Sequence, residues 1–146
     1  MTAEASQKAM SKAEFTVERV ARISASLDLD PALQADILGA NDLDEEAWEE
    51  IEATHDAALR SELEAGDTAR LETYDAAYVA RVEEERGTIS AEDYASLLRA
   101  GRNGNTSARL AELEIPEAAE LTIMRVFERR LAADDSLRLA QKSRDD

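Results

Sequence analysis

The segment ISAEDY, residues 89–94, carries a complete signal for the start of a helix. Ser90 can cap the helix, an acid stands at the third position after it, and apolar residues flank both, which is the arrangement of a capping box with a hydrophobic staple. The segment MSKAEF, residues 10–15, has the same order, with Ser11 as the cap. Each segment therefore predicts the start of an amphipathic helix, and the first helix is expected to run from Ser11 to about Leu27.

Similar boundaries recur along the chain. Asp30-Pro31 opens a short helix that Gly39 ends, and Leu43-Asp44 opens the next, because aspartate caps a helix and proline is tolerated in its first turn. Further boundaries are expected at Gly66-Asp67, Gly87, the loop GRNGN at 101–105, Ile115-Pro116, and Asp134 or Asp135. No segment alternates β-branched residues, so the sequence predicts an all-α fold, a compact bundle of about seven or eight helices.

Length and composition favour one domain. A chain of 146 residues with 44% hydrophobic and 34% charged residues suits a single bundle of amphipathic helices. We expect a helical domain over residues 10–142, with a flexible tail at 1–9 and a polar tail at 143–146. The chain has no cysteine, which excludes disulfides and thiol chemistry. No signal peptide or membrane span is predicted, so we expect a cytoplasmic protein.

The negative charge is concentrated in the middle of the chain. The net charge is −16, and residues 28–93 contribute −17 from 21 acidic and 4 basic residues. Residues 1–27 contribute +1 (4 basic, 3 acidic), and residues 94–146 contribute zero (9 of each). Such a field repels nucleic acids and anionic membranes and favours a basic protein partner. We therefore expect no direct binding to nucleic acid or membrane.

The two ends of the chain resemble each other. MSKAEF at 10–15 matches ISAEDY at 89–94, a spacing of 79; Ile51 matches Ile123 and His55 matches Phe127, a spacing of 72; Asp67 matches Asp135, a spacing of 68. One interpretation is an internal pseudo-repeat, residues ~10–75 and ~89–142, of a kind typical of binding scaffolds. The alternative is that capped amphipathic helices resemble one another by default.

Glu52 and His55 raise the possibility of a metal site. Glu-x-x-His is half of the ligand set of carboxylate di-metal proteins, which use two such motifs. His55 is the only histidine, so a metal-binding carboxylate site would have to form across a homodimer or be a weaker mononuclear site. The match of His55 with Phe127 instead indicates a packing position. These two residues are weak metal candidates, and the sequence predicts no metal and no cofactor.

Other catalytic patterns are absent. The chain has no Gly-x-Ser-x-Gly turn, and GRNGN lacks the Lys-Ser/Thr pair of a phosphate-binding loop. We therefore predict a protein that is not an enzyme. The preferred hypothesis is an adaptor, chaperone-like or immunity-type protein that binds a basic partner through an acidic face.

Tyrosines near that face would serve as apolar anchors. The residues predicted to contact the partner are Glu49, Glu50, Glu52, His55, Asp56, Tyr74, Tyr78, Glu83 and Glu84. The second hypothesis is an acidic mimic of nucleic acid that inhibits a DNA- or RNA-binding protein.

Overall fold

The structure, a computed structural model, describes the backbone of residues 15–145 and the side chains of residues 15–134. Within these limits the chain forms seven α-helices, two 3₁₀ turns and no strand, so the all-α prediction is confirmed. The helices are α1 (Val17–Leu29), α2 (Gln34–Ala40), α3 (Glu45–Glu64), α4 (Ala69–Arg86), α5 (Ala91–Arg102), α6 (Thr106–Glu112) and α7 (Glu120–Asp145). The 3₁₀ turns, Pro31–Leu33 and Glu117–Ala119, precede α2 and α7.

Two of the predicted caps are present. Ser90 Oγ accepts from the Asp93 N–H at 3.0 Å, and the Asp93 carboxylate accepts from the Ser90 N–H at 3.1 Å, which completes the capping box of α5. Asp44 caps α3 by accepting from the Ala47 N–H at 2.8 Å. Gly87, with φ of 99°, ends α4 as predicted.

The start of the first helix differs from the prediction. Phe15 and Thr16 are not helical, and α1 begins at Val17 with Thr16 Oγ1 accepting from the Arg19 N–H at 3.2 Å. The predicted cap Ser11 lies outside the described residues. A helix running unbroken from Ser11 is wrong because Thr16 offers a second hydroxyl cap closer to the apolar stripe.

Of two further boundaries, the first agrees to within one residue and the second is wrong. A 3₁₀ turn begins at Pro31 and α2 ends at Ala40, although Asp30 makes no side-chain capping bond. At the other end of the chain, α7 continues past Asp134 to Asp145, so the two last helices predicted there are one. Helices often end at a glycine, which adopts the left-handed conformation easily, or before a proline, which has no N–H to donate. Residues 117–146 contain neither, and the helix is not interrupted.

The ends of α2 and α6 have the same geometry. Asp42 and Glu114, 72 positions apart, are the non-glycine residues with positive φ in the described chain, at 58° and 57°. In both turns a buried residue after the left-handed position donates back to a buried residue in the helix, which is a Schellman motif. The two bonds run from Leu43 N to the Leu38 oxygen and from Ile115 N to the Leu110 oxygen, both at 2.9 Å.

These turns and the observed caps change the register of the repeat. The caps Thr16 and Ser90 are 74 positions apart rather than the predicted 79, which places Val20 opposite Tyr94. Ile23 then falls opposite Leu97, and all four residues are buried. The predicted match of Asp67 with Asp135 is wrong, because Asp67 lies in a turn and residue 135 lies inside α7. The similarity therefore covers three helices in each half.

The buried residues form two clusters, and α1 contributes buried residues to both. The larger cluster joins Ala21 and Ala25 of α1 to residues of α4, α5, α6 and α7, among them Val79, Leu110 and Ile123. The smaller cluster lies between α1, α2 and α3 and includes Leu38, Trp48 and Ile51. The side chain of Tyr74, on α4, packs against both clusters. Helix α4 also packs closely on α1, where buried alanines allow the two backbones to approach.

Candidate protein-binding face and adjacent cavity

Four carboxylates form a row along one flank of α3. Glu45, Glu49, Glu52 and Asp56 follow one another at intervals of four, three and four residues, which places them on one side of the helix. All four side chains are exposed. We call these four residues the acidic flank.

The acidic flank is electrostatically crowded. Partial burial raises the pKa of Glu52, and the negative charges of Asp56, Asp28 and Glu49 raise it further. Among the residues that the structure describes, no basic side chain forms an ion pair with Glu49, Glu52 or Asp56. The flank therefore carries a local excess of negative charge that no ion pair within residues 15–134 compensates.

The two tyrosines predicted as anchors have different environments. Tyr78 is only 2% exposed, and its hydroxyl donates to Asp28 at 2.5 Å, so it is a core residue and not a surface contact. Tyr74 is partly exposed. Burial raises its pKa, a hydrogen bond with Ser24 lowers it, and the charges of Asp28, Glu52 and Asp56 raise it. Its ring stacks on His55, which precedes Asp56 of the acidic flank in α3.

Glu83 and Glu84 do not join this face. The Glu83 carboxylate accepts from the Ile89 N–H at 2.8 Å, which ties the end of α4 to the turn before α5. Glu84 forms an ion pair with Arg22 at 2.7 Å. Both acids contact groups of the same chain. Glu50 is exposed on a different side of α3 from the acidic flank.

His55 is a buried residue of α3. It is 8% exposed, its ring stacks on Tyr74 with centroids 5.1 Å apart, and its Nδ1 is buried without a hydrogen-bond partner. Burial lowers its pKa, and so does the charge of Arg70. Glu52 is exposed, and no group of three potential ligands is found in the described part of the chain.

A cavity of about 130 Å³ lies beside His55, between α1, α3 and α4. Its wall is largely apolar and includes Phe15, Val20 and Ile51. His55 and Arg70 add polar groups. This space arises from the packing of three helices, so no local sequence pattern predicts it.

A buried ion cluster joins α4 to α7 and was not predicted from the sequence. Asp75 on α4 is fully buried and accepts two bonds from Arg125, both at 2.9 Å, and one from Arg129 at 2.9 Å. Glu72 lies 3.8 Å from Arg129. The available signal was an aspartate within the apolar stripe of one helix and two arginines four residues apart on another.

None of the helices in residues 15–145 combines the length and apolar character that a membrane crossing requires. Comparison of the chain with known protein families, curated proteins and solved structures gives no match. Its function must therefore be inferred from the geometry and chemistry of these sites.

Proposed function

We propose that this protein is a non-catalytic helical module that binds a basic protein partner through the acidic flank of α3. The observation that carries the proposal is the uncompensated crowding of carboxylates around Glu52. A cationic side chain placed among them would relieve their mutual repulsion, so contact with a basic surface is favoured at this position. Tyr74, at the edge of the flank, supplies an aromatic surface of the kind enriched at protein interfaces.

The charge distribution also determines how such a partner would be recognised. Residues 45–64, which form α3, contain eight acidic residues and one arginine, a net charge of −7 with histidine neutral. A field of one sign steers an oppositely charged partner and speeds association more than it strengthens the final complex. The association rate should therefore fall steeply as salt is added.

The test compares two variants of equal net charge. The first variant changes Glu49, Glu52 and Asp56 to lysine. The second changes three exposed glutamates outside the flank to lysine, Glu92, Glu114 and Glu128. Proteins retained from the native cell by the wild-type chain are identified by mass spectrometry. A basic partner should be lost with the first variant and kept with the second.

The same loss with both variants would mean that only total charge matters, and retention by the first variant would reject the acidic flank as the binding face. Circular dichroism must show that both variants keep their helical content. Nucleic-acid mimicry uses the same carboxylates but requires a partner that also binds DNA or RNA. If duplex DNA displaces the captured partner, that mechanism replaces simple basic-partner binding.

A further inference from the structure

The first half of the protein has a covering helix. Along one face of α1, Ala21 and Ala25 are fully buried in the cluster that also contains residues of α4. At the end of the same face, Asp28 accepts a hydrogen bond from the Tyr78 hydroxyl of α4. This face of α1 is therefore closed by α4, the helix that follows α3 in the chain.

The equivalent face of the second half has no such cover. The register of 74 positions set by the helix caps pairs four residues of α1 with four residues of α5. The pairs are Ala21 with Ala95, Ser24 with Leu98, Ala25 with Arg99, and Asp28 with Arg102. Leu98 is 37% exposed, and both arginines are exposed. Within the described chain no helix closes this face, because α7, the counterpart of α3, runs on to Asp145 without a turn.

The adjoining surface of α7 is apolar. The register of 72 positions set by the Schellman turns places Leu121 and Met124 opposite Glu49 and Glu52 of the acidic flank. Leu121 is 66% exposed and lies one turn before Met124, on the same side of α7. A contiguous apolar patch with a polar border is typical of a binding surface, whereas single exposed leucines are normal. We call the surface that the two helices form here the open face; its residues are Ala95, Leu98, Arg99, Arg102, Leu121 and Met124.

A cavity of about 80 Å³ lies between α5 and α7 at the open face, and Leu98 and Met124 are among its lining residues. In the first half, Tyr74 of α4 lies beside Ser24, the counterpart of Leu98, and its ring stacks on His55. The covering helix of the first half therefore places a ring at the position that corresponds to this cavity. The volume exceeds what one water molecule needs, so the cavity has room for an apolar side chain of a covering helix.

The arginines of the open face indicate which kind of helix fits. Arg99 stands where the small Ala25 lets α4 approach α1 closely, so a helix on the open face lies further out and is held partly by charge. Neither Arg99 nor Arg102 forms an ion pair within residues 15–134. Guanidinium groups pair well with carboxylates. Residues 94–146 have no net charge, so the negative field of the middle of the chain is not centred here.

We propose that the open face binds an acidic amphipathic α-helix of a partner protein. The helix lies on α5 and α7 as α4 lies on α1 and α3, and it inserts an apolar side chain between Leu98 and Met124. Its carboxylates, about one turn away from that side chain, pair with Arg99 and Arg102. Such binding is helix-in-groove recognition, in which an amphipathic helix lays its apolar face into a groove. The open face and the acidic flank have no residue in common, so binding here is independent of the basic partner proposed above.

The test uses two synthetic helical peptides of 18 residues, the length of α4, that share one stripe of leucines. The first peptide carries glutamate on both sides of the stripe, and the second carries glutamine at the same positions. Fluorescence anisotropy at physiological salt measures their affinities for the full chain. The glutamate peptide should bind saturably and about 3- to 10-fold more tightly than the glutamine peptide, as expected for two partly exposed ion pairs.

Variants of the protein locate the site. Arg102→Glu should remove the preference for the glutamate peptide, and Leu121→Ser should weaken the binding of both peptides. Arg60→Glu and Leu63→Ser, at exposed positions of α3, are the matched controls and should leave both affinities unchanged. All four positions are exposed, so circular dichroism should show the helical content of the wild type in every variant.

Three results would overturn the proposal. If neither peptide binds the wild-type chain saturably, the open face does not take a helix. If the two peptides bind equally, or if Arg60→Glu lowers the affinity as much as Arg102→Glu does, the arginines of the open face do not recognise carboxylates. If light scattering shows a dimer that Leu121→Ser converts to a monomer, a second copy of the chain covers the open face instead of a partner helix.

Discussion

Asp75 connects two helices through three hydrogen bonds with charged donors, from Arg125 and Arg129 on α7. We expect Asp75→Asn to lower the free energy of unfolding by roughly 2–4 kcal/mol, because two arginines lose the carboxylate that compensates them. The cost stays below that of a fully buried pair since both guanidinium groups are partly exposed. Urea unfolding gives the value directly.

The matched control is Asp36→Asn, at an exposed position of α2. It should change the free energy of unfolding by less than about 0.5 kcal/mol. If Asp75→Asn lowers the free energy of unfolding by less than about 1 kcal/mol, the ion cluster stabilises the protein no more than an apolar contact in its place would.

His55 makes stability depend on pH in a defined direction. Its pKa in the folded protein lies below the ordinary value of 6.5, through burial and the charge of Arg70, while Asp56 and Glu62 oppose the shift. Because the folded state favours the neutral ring, this contribution is complete above pH 6.5 and is lost as the pH falls through the lowered pKa. Wild-type protein should therefore lose more stability than His55→Leu between pH 7.5 and pH 5, a comparison made by urea unfolding at both values. Equal losses would show that folding does not lower the pKa of His55.

Residue-level prediction from the sequence succeeded where a side chain acts on its own local backbone. The caps Asp44 and Ser90 bind N–H groups three residues away, so their partners were visible in the sequence. Asp75 and Arg125 are 50 residues apart, and their pairing depends on how α4 meets α7. The burial of Tyr78 depends on the same tertiary packing.

At the level of elements, the turns after α2 and α6 hold non-glycine residues in the left-handed region. Glu114, with φ of 57°, has a longer side chain than the Asp42 of the equivalent turn, and aspartate tolerates this conformation better. We expect Glu114→Gly to stabilise the protein by about 0.5–1 kcal/mol, and Asp42→Gly to stabilise it less. Thermal unfolding followed by circular dichroism measures both.

Glu128→Gly is the control for that prediction, since Glu128 is exposed in the interior of α7. It should destabilise the protein by about 1 kcal/mol, as glycine does inside a helix. If Glu114→Gly were equally destabilising, the left-handed turn would not be the conformation populated in solution.

Prediction at this level failed where local signals competed. The serine at residue 11 and Thr16 both offer a hydroxyl cap near the start of α1, and their sequence patterns do not rank them. Two aspartates at 134 and 135 resemble a helix cap, but a cap forms only where the chain also leaves the helix. Without a glycine or proline nearby, the chain continued as helix.

On the scale of the whole molecule, the charge of −16 opposes compaction. We expect the melting temperature to rise by a few degrees between low salt and about 0.5 M NaCl, because salt screens repulsion among exposed acids over distances of several ångströms. Differential scanning calorimetry provides the measurement. The variant with lysine at Glu49, Glu52 and Asp56 should gain less from salt, and a fall in the wild-type melting temperature would contradict the prediction.

Helices α1 and α4 both contact the two buried clusters, which has a consequence for how the chain folds. The larger core needs buried alanines of α1 as well as α4, and Tyr74 of α4 packs on the smaller core, so the similar halves are not independent folding units. Unfolding should be a single cooperative transition in which both halves are lost together. The contacts between α1 and α4 close a loop of about fifty residues, which makes their formation a candidate for the slow step of folding.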